Sequence, residues 1–396
     1  MLTNRQLFLD HVAQTSNFPM ALEIEKAEGV RMFEKSGKDY IDVISGIGVS
    51  NVGHRHPTVI NAIKDQLDSY MHLMVYGEFV QTPQVKLATK LSSLLPESLN
   101  SSYFVNSGSE AIEGALKLAK RHTNRTELIS FNNAYHGSSH GALSINGDEG
   151  VKTKFRPLLP DTKQININNI DELKHITTKT AAVVIETVQG EAGVVAATKE
   201  FLTALREKCN ETGTLLIFDE IQCGFGRTGT FFAFERFDIV PDIMTIAKGM
   251  GGGMPIGAFT SSQKIMSCLT ENPILGHIST FGGHPVCCAS ALATIEVIEN
   301  ESLLKDVNRK AELIKANLVH PAIKEIRNVG LMMAVEFESF DTLKAIIDKA
   351  VDNGVLTDWF LFNDKSMRIA PPLTITDSEI KEACEKINKA IQEVVD

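Results

Sequence analysis

Short, predominantly apolar runs punctuate the middle of the chain, at 128–131, 181–185, 215–218 and 243–247. Amphipathic stretches lie between several of them, 199–212 being the clearest. Apolar runs of this length without polar alternation predict strands buried on both faces, and their alternation with helices predicts a parallel sheet covered on both sides. The last hundred residues have a different rhythm. Helical periodicity at 285–299 and 302–318 leads to a strand at 331–337, a helix at 341–353, a short strand near 367–370 and a final helix from Asp377, with Pro371-Pro372 as punctuation. That pattern predicts a smaller α+β unit. Strand-like pieces at 30–33 and 40–43 are too short to form a domain alone and are expected to join it. The expected organisation is therefore an N-terminal segment, 1–51, packing with the small domain, a large domain over 52–289 and a C-terminal small domain over 290–396.

A length of 396 residues suits that division into a large unit and a satellite. Hydrophobic residues at 43% and charged residues at 22% argue against disorder. A formal net charge of −10 disfavours non-specific nucleic-acid binding, which needs a cationic surface, yet it allows a local cationic pocket for an acidic substrate. Six scattered cysteines with no C-x-x-C pair suit a reducing compartment. The first 17 residues are polar and mixed in charge, unlike a secretory leader, and no apolar run approaches membrane-spanning length. These features predict a soluble cytoplasmic protein.

Three segments carry candidate chemistry. In Asn106-Ser107-Gly108-Ser109-Glu110, Ser107 and Glu110 fit a capping box, and Ile112, Ala115, Leu116 and Ala119 form the stripe of a following helix. Such a helix start suits a phosphate, although plain capping explains the residues equally well. The apolar run 215–218 ends in Asp219-Glu220, a pair of acids where ligands of open α/β sheets sit. Asp219 there wants a cationic partner, whether a protonated ring nitrogen, a basic side chain or a metal. The run 243–247 delivers Lys248 into the glycine-rich Gly249-Met250-Gly251-Gly252-Gly253. A crowded, desolvated lysine can attack an aldehyde, while a phosphate-binding or surface lysine is the plainer alternative. Taken together, an anion-ready helix end, a strand-end acid and a strand-end lysine match the needs of pyridoxal phosphate.

The ordered stretches 106–117, Tyr135-His136-Gly137, 186–193, 218–229, 247–257, 279–285 and 368–372 closely resemble the class III aminotransferases, in particular the acetylornithine, ornithine and 4-aminobutyrate types. The resemblance implies the α/β fold type I of pyridoxal-phosphate transferases (aspartate aminotransferase-like), with a mainly parallel-sheet large domain and a smaller α+β domain. It implies a ping-pong transfer of a terminal amino group from a small-molecule donor to a 2-oxo acid. By its motifs, Lys248 bears the cofactor as a Schiff base and shuttles the proton, and Asp219 keeps the ring nitrogen protonated. Gln222 contacts the ring hydroxyl, and Tyr135 and Ile221 sandwich the ring. Ser107, Gly108 and Ser109 take the phosphate, and His136 and Glu186 complete the cofactor site, Glu186 supporting the Gln222 region. Thr280 reaches the phosphate of a neighbouring subunit, which implies a homodimer with shared sites. Arg368 binds a substrate carboxylate, with Glu191 as its switchable partner. Two positions depart from the family pattern, the first from all three types and the second from the ornithine type. Ser138 stands where an arginine commonly grips a second substrate carboxylate, and Ile47 stands where an aromatic residue is usual. Both are expected to shape the donor site, and they admit 4-aminobutyrate or a diamine as donor.

Other readings compete. Gly224-Phe225-Gly226-Arg227-Thr228-Gly229 matches the dinucleotide fingerprint of an oxidoreductase, but no strong helix opening comes after it. Gly137-Ser138-Ser139-His140-Gly141 matches a hydrolase nucleophile elbow, again without an evident helix. His54 with His56, and His136 with His140, have spacings a metal could use, but no metal is expected. A purely binding role leaves the joint presence of Lys248, Asp219 and the anion motif without purpose.

Overall fold

The computed structural model describes residues 2–395. Its central sheet has seven strands, in the order Ser101–Val105, Gly257–Ser261, Ile243–Ile246, Leu215–Asp219, Thr180–Glu186, Glu127–Phe131 and Thr162–Ile165. All run parallel except Gly257–Ser261, which is antiparallel to both of its neighbours. Thr180–Glu186, Leu215–Asp219 and Ile243–Ile246 are buried at every position, as sandwiching between two helical layers requires. The helix Gly108–Thr123 turns Ile112, Ala115, Leu116 and Ala119 into the core. The helix Lys199–Thr212 has the predicted bounds. Thr198 caps its first turn by accepting the Phe201 N–H, and Gly213 closes it in the left-handed region at φ 65°.

The chain ends interlock beside this sheet. Ile24–Glu28, Arg31–Glu34 and Asp39–Asp42 form an antiparallel meander, and Val355–Leu356 adds to it in parallel, opposing Val355 to Ile41 and Leu356 to Asp42. A further antiparallel sheet is ordered Glu325–Val329, Met332–Glu336, Asn363–Ile369 and Asp358–Phe360. The short strand expected near 367–370 is thus the end of a longer hairpin. Residues 358–366, Asp-Trp-Phe-Leu-Phe-Asn-Asp-Lys-Ser, lack the apolar–polar alternation that marks a half-buried strand. The helices Phe340–Asp352 and Asp377–Val395 pack together over this part. Arg227 ties the regions to one another. Fully buried, its guanidinium donates to the Leu331 and Pro371 carbonyls and to Asn51 Oδ1. No described helix is long and apolar enough to cross a membrane.

Candidate active site

Five strand ends converge at one edge of the central sheet. Ser101–Val105 runs into 106–109, Glu127–Phe131 into the loop holding Tyr135 and His136, and Ile243–Ile246 into Lys248; the other two end in Glu186 and Asp219. This is the carboxyl-end crevice where open α/β sheets bind ligands. It forms a cavity of about 510 Å³. Ser107, Gly108, Ser109, Tyr135, His136, Ser138, Glu186, Glu191, Asp219, Ile221, Gln222 and Lys248 all line it. Ile47 and Arg368 lie behind, around a small void that also touches Gln222. Thr280 is the one singled-out residue that a single chain does not bring there. It is exposed, although its neighbour Ser279 accepts a hydrogen bond from the cavity residue Asn106 (Nδ2–Oγ 3.3 Å).

The anion cradle comes first. Ser107 Oγ accepts the Glu110 N–H at 3.1 Å, but the expected reciprocal half of the capping box is missing. Glu110 reaches one residue further back and takes the Asn106 N–H at 2.7 Å. The backbone N–H groups of Gly108 and Ser109 meet no acceptor among the described residues, as first-turn amides do. Ser109 Oγ lies 2.6 Å from Ser139 Oγ, which in turn donates to Glu113 Oε1 at 2.6 Å. Because an ionised carboxylate only accepts, this order turns the Ser109 hydroxyl proton toward Ser139. A Cβ on Gly108 would stand 2.9 Å from Ile221 Cγ2, so only glycine lets the helix start and Ile221 close on the same space.

The acids come next. Asp219 and Glu186 oppose each other across adjacent parallel strands. Asp219 Oδ2 receives the imidazole Nδ1 of buried His136 at 2.7 Å, and Oδ1 accepts the Ile221 N–H at 3.0 Å. The His136 Nε2 atom is buried with no partner among the described residues. Glu186 accepts the N–H groups of Tyr135 (2.9 Å) and Gly190 (3.0 Å). Burial, opposed by His136 and reinforced by Asp219, pushes its carboxyl up to about 7. Gly190 links it to Gln222, because a Cβ at 190 would overlap Gln222 Oε1 at 1.5 Å. Glu186 thus holds open the space that Gln222 occupies.

Lys248 sits at φ 44°, a left-handed conformation unusual for a residue with a side chain. Burial lowers its ammonium pKa, with Glu191 opposing. No carboxylate among the described residues pairs with it. Behind it, Arg368 NH1 and NH2 grip Glu191 Oε1 and Oε2, each at 2.9 Å. Arg368 Nε also donates to Asp358 Oδ1 at 2.9 Å, and its guanidinium carbon stacks 4.3 Å from the Phe360 ring centre. Asp358 is a partner that sequence reasoning missed. The only signal was an acid ten positions upstream, and it becomes meaningful once the hairpin pairs Asp358 with Arg368. Glu113 and Ser139, which set the cradle, were missed because neither lies inside a recognisable ligand motif.

Glu220 points away from the cavity and accepts the N–H groups of Ala233 and Phe234, both at 2.8 Å. Burial nevertheless raises its carboxyl to about 8. Between the unfolded value near 4.5 and about 8, the native chain keeps a proton that the unfolded chain has released. Stability must therefore fall as pH rises through that window and level off above it. We expect the loss from this group to be on the order of 5 kcal/mol in urea unfolding of the cofactor-free protein, and Glu220→Gln to reduce that slope. An unchanged slope in the variant would assign the proton elsewhere.

The rival motifs are placed as well. A five-residue helix, His140–Ser144, does follow Ser139, contrary to the sequence expectation. The hydroxyl of Ser139 is nonetheless committed to Ser109 and Glu113, with no imidazole bonded to it. The 224–229 glycines form turns, succeeded only by the short 3-10 stretch Ala233–Arg236, so no helix N-terminus faces a dinucleotide. No group of three metal-ligating side chains occurs among the described residues.

The residues fit pyridoxal phosphate. Two free amide N–H groups and a glycine-cleared helix start suit its phosphate, Asp219 suits its ring nitrogen, and Lys248 suits its aldehyde. Comparison with known proteins agrees. The family model described as "Aminotransferase class-III" matches residues 12–391. The acetylornithine aminotransferase of Methanocaldococcus jannaschii is 39% identical over 388 residues, covering 93% of either chain. That of Archaeoglobus fulgidus is 38% identical, covering 95% of this chain and 96% of its own. Among solved structures, the ornithine aminotransferase of Toxoplasma gondii superposes with a TM-score of 0.91 at 29% identity, over 100% of this chain and 96% of that one.

Proposed function

The chain belongs to the class III aminotransferases, enzymes of fold type I that depend on pyridoxal phosphate, and from that premise we propose that it moves the terminal amino group of an ω-amino acid such as N-acetylornithine or ornithine to a 2-oxo acid. The carrying observation is the Arg368–Glu191 pair beside Lys248. With Glu191 in place, the guanidinium is neutralised, and an amine with no carboxylate next to its reacting carbon can be accepted. With Glu191 displaced, the same edge of the guanidinium takes the carboxylate of a 2-oxo acid. One site can thus serve both halves of a ping-pong exchange.

The bound cofactor supplies the electron sink that makes the substrate's carbon-bound proton acidic. The chain supplies the rest. Asp219, oriented by His136 and the Ile221 N–H, provides the fixed negative charge for the ring nitrogen. Gly108 and Ser109 hold the phosphate with Ser107 at the cap, and Gln222 contacts the ring hydroxyl. Tyr135 and Ile221 bound the ring. Lys248 would hold the aldehyde, and its amine is placed to move the proton from the substrate carbon. We also propose a homodimer with shared sites. The segments 71–80 and 274–281 meet through Tyr76 N–H to Ser279 O and expose Met71, Phe79, Val80, Ile274 and Phe281, a patch suited to burial against a second copy. That contact would carry Thr280 to the partner's phosphate. The division at 51 and 289 into segment, large domain and small domain belongs to the same proposal, as does a cytoplasmic location, which six free cysteines support.

A second donor reading has its own support. Ser138, exposed at the rim and hydrogen-bonded to the Tyr135 hydroxyl (3.2 Å), offers no cation for a second carboxylate. This favours a diamine or other ω-amine as donor and weakens the case for 2-oxoglutarate as acceptor, while the aliphatic Ile47 favours 4-aminobutyrate. The test is a donor panel of ornithine, N-acetylornithine, 4-aminobutyrate, lysine and putrescine against 2-oxoglutarate and pyruvate. We expect the highest kcat/KM with N-acetylornithine or ornithine; transamination of no ω-amino compound would overturn the proposal.

A further inference from the structure

The two carboxylates on Arg368 are held by different parts of the chain, and that difference assigns them different roles. Asp358 belongs to the strand Asp358–Phe360, whose register places it directly opposite Arg368. The same strand supplies the Trp359 carbonyl, which accepts from Arg368 NH2 at 3.3 Å, and the Phe360 ring beneath the guanidinium. Orientation of Arg368 is therefore set within one hairpin. Glu191 comes after the separate strand Val188–Gln189; its carboxylate meets the hairpin through the Leu361 N–H (3.1 Å) and the guanidinium, and its backbone carbonyl accepts the Phe362 N–H at 3.0 Å. The edges differ too. Asp358 takes Nε, and Glu191 takes the NH1/NH2 fork.

We propose that Asp358 is a positioning residue that keeps the NH1/NH2 fork of Arg368 aimed at the reaction cavity while Glu191 and a substrate carboxylate exchange on it. The proposal rests on Arg368 being the carboxylate receptor. The negative charge of Asp358 weakens the hold on Glu191 and on an incoming carboxylate alike, so it largely cancels in the exchange. Orientation does not cancel, because the Glu191 carboxylate sits on its own rotatable side chain and can follow a displaced fork, whereas a substrate held at its reacting amino end cannot.

The test compares Asp358→Ala with Asp358→Asn in the holoenzyme. Alanine removes the Nε acceptor, while asparagine keeps an acceptor oxygen without the charge. For Asp358→Ala we expect KM for pyruvate and 2-oxoglutarate to rise roughly 10- to 100-fold, the worth of one hydrogen bond to a charged group. Single-turnover loss of the cofactor's visible band with N-acetylornithine, 4-aminobutyrate or putrescine should stay within about threefold of wild type, a spread that corresponds to less than 1 kcal/mol. Asp358→Asn should restore KM to within a similar factor. Crystal structures should show the fork rotated in the alanine variant and unmoved in the asparagine variant. Equal changes in both half-reactions, an unchanged KM, or an asparagine variant as impaired as alanine would each overturn the positioning role. If Arg368→Gln leaves the KM for both oxo acids unchanged, the receptor reading itself fails, which is a separate result.

Discussion

Lys248→Ala should bring turnover below detection and remove the visible absorbance of the bound cofactor. Two losses combine. The Ile243–Ile246 strand delivers the only lysine that lines the cavity, so no other amine there can hold an aldehyde covalently. Proton transfer by a placed base is also worth roughly 10²–10⁴-fold in rate, and no second base stands in the same position. Burial lowers the ammonium's pKa, while Glu191, Asp219 and Glu186 act to raise it, so the amine is neither locked in an ion pair nor left with an ordinary lysine's reluctance to lose its proton. The fold should survive, because the Lys248 side chain pairs with no carboxylate among the described residues. Borohydride reduction of the wild type and subsequent peptide mapping should place a pyridoxyl group on Lys248. A variant that keeps wild-type turnover would remove Lys248 from the mechanism.

Asp219→Asn should have the second largest effect, a fall in kcat on the order of 10²–10³-fold. Asparagine keeps the size and the strand-end position but removes the negative charge. Its amide must also offer an acceptor to the Ile221 N–H and meet His136 at once, which leaves an NH₂ group where the ring nitrogen needs an anion. Glu186 cannot substitute. Its carboxyl lies across the neighbouring strand, bound to the Tyr135 and Gly190 amides, and its pKa raised to about 7 leaves it only partly ionised at neutral pH. Stopped-flow measurement of the amino-donor half-reaction tests this directly, because product release does not contribute. A rate within threefold of wild type, a difference below 1 kcal/mol, would contradict the assigned role.

Much of this was legible in the sequence because several local signals agreed. The apolar runs at 215–218 and 243–247 became strands, and each delivered a side chain into the cavity, Asp219 and Lys248. A buried strand is compelled by composition, and the residue just past its end lands at the sheet's carboxyl edge by topology. The parts that stayed hidden depend on pairing between distant residues. The 358–369 hairpin carries aromatic and charged residues without a period of two, so neither its register nor the Asp358–Arg368 contact could be inferred. The Ser109–Ser139–Glu113 chain joins a helix start to a loop about thirty residues later, and nothing local in either segment marks the match. The reversed strand Gly257–Ser261 was equally invisible, since Gly-Ala-Phe-Thr-Ser is not an apolar run and strand direction leaves no trace in local sequence.

The parallel pairing of Ile41 with Val355 has a consequence for biosynthesis. At translation rates of about 5–20 residues per second, the Asp39–Asp42 strand leaves the ribosome roughly 15–60 s before its partner is made. For that interval it offers an unpaired edge to any other chain nearby. Arg368 is synthesised later still, so a nascent chain can already possess Lys248 and Asp219 while lacking the proposed carboxylate receptor. Such a protein is completed at its very end, and it is most exposed to misassembly just before it becomes an enzyme.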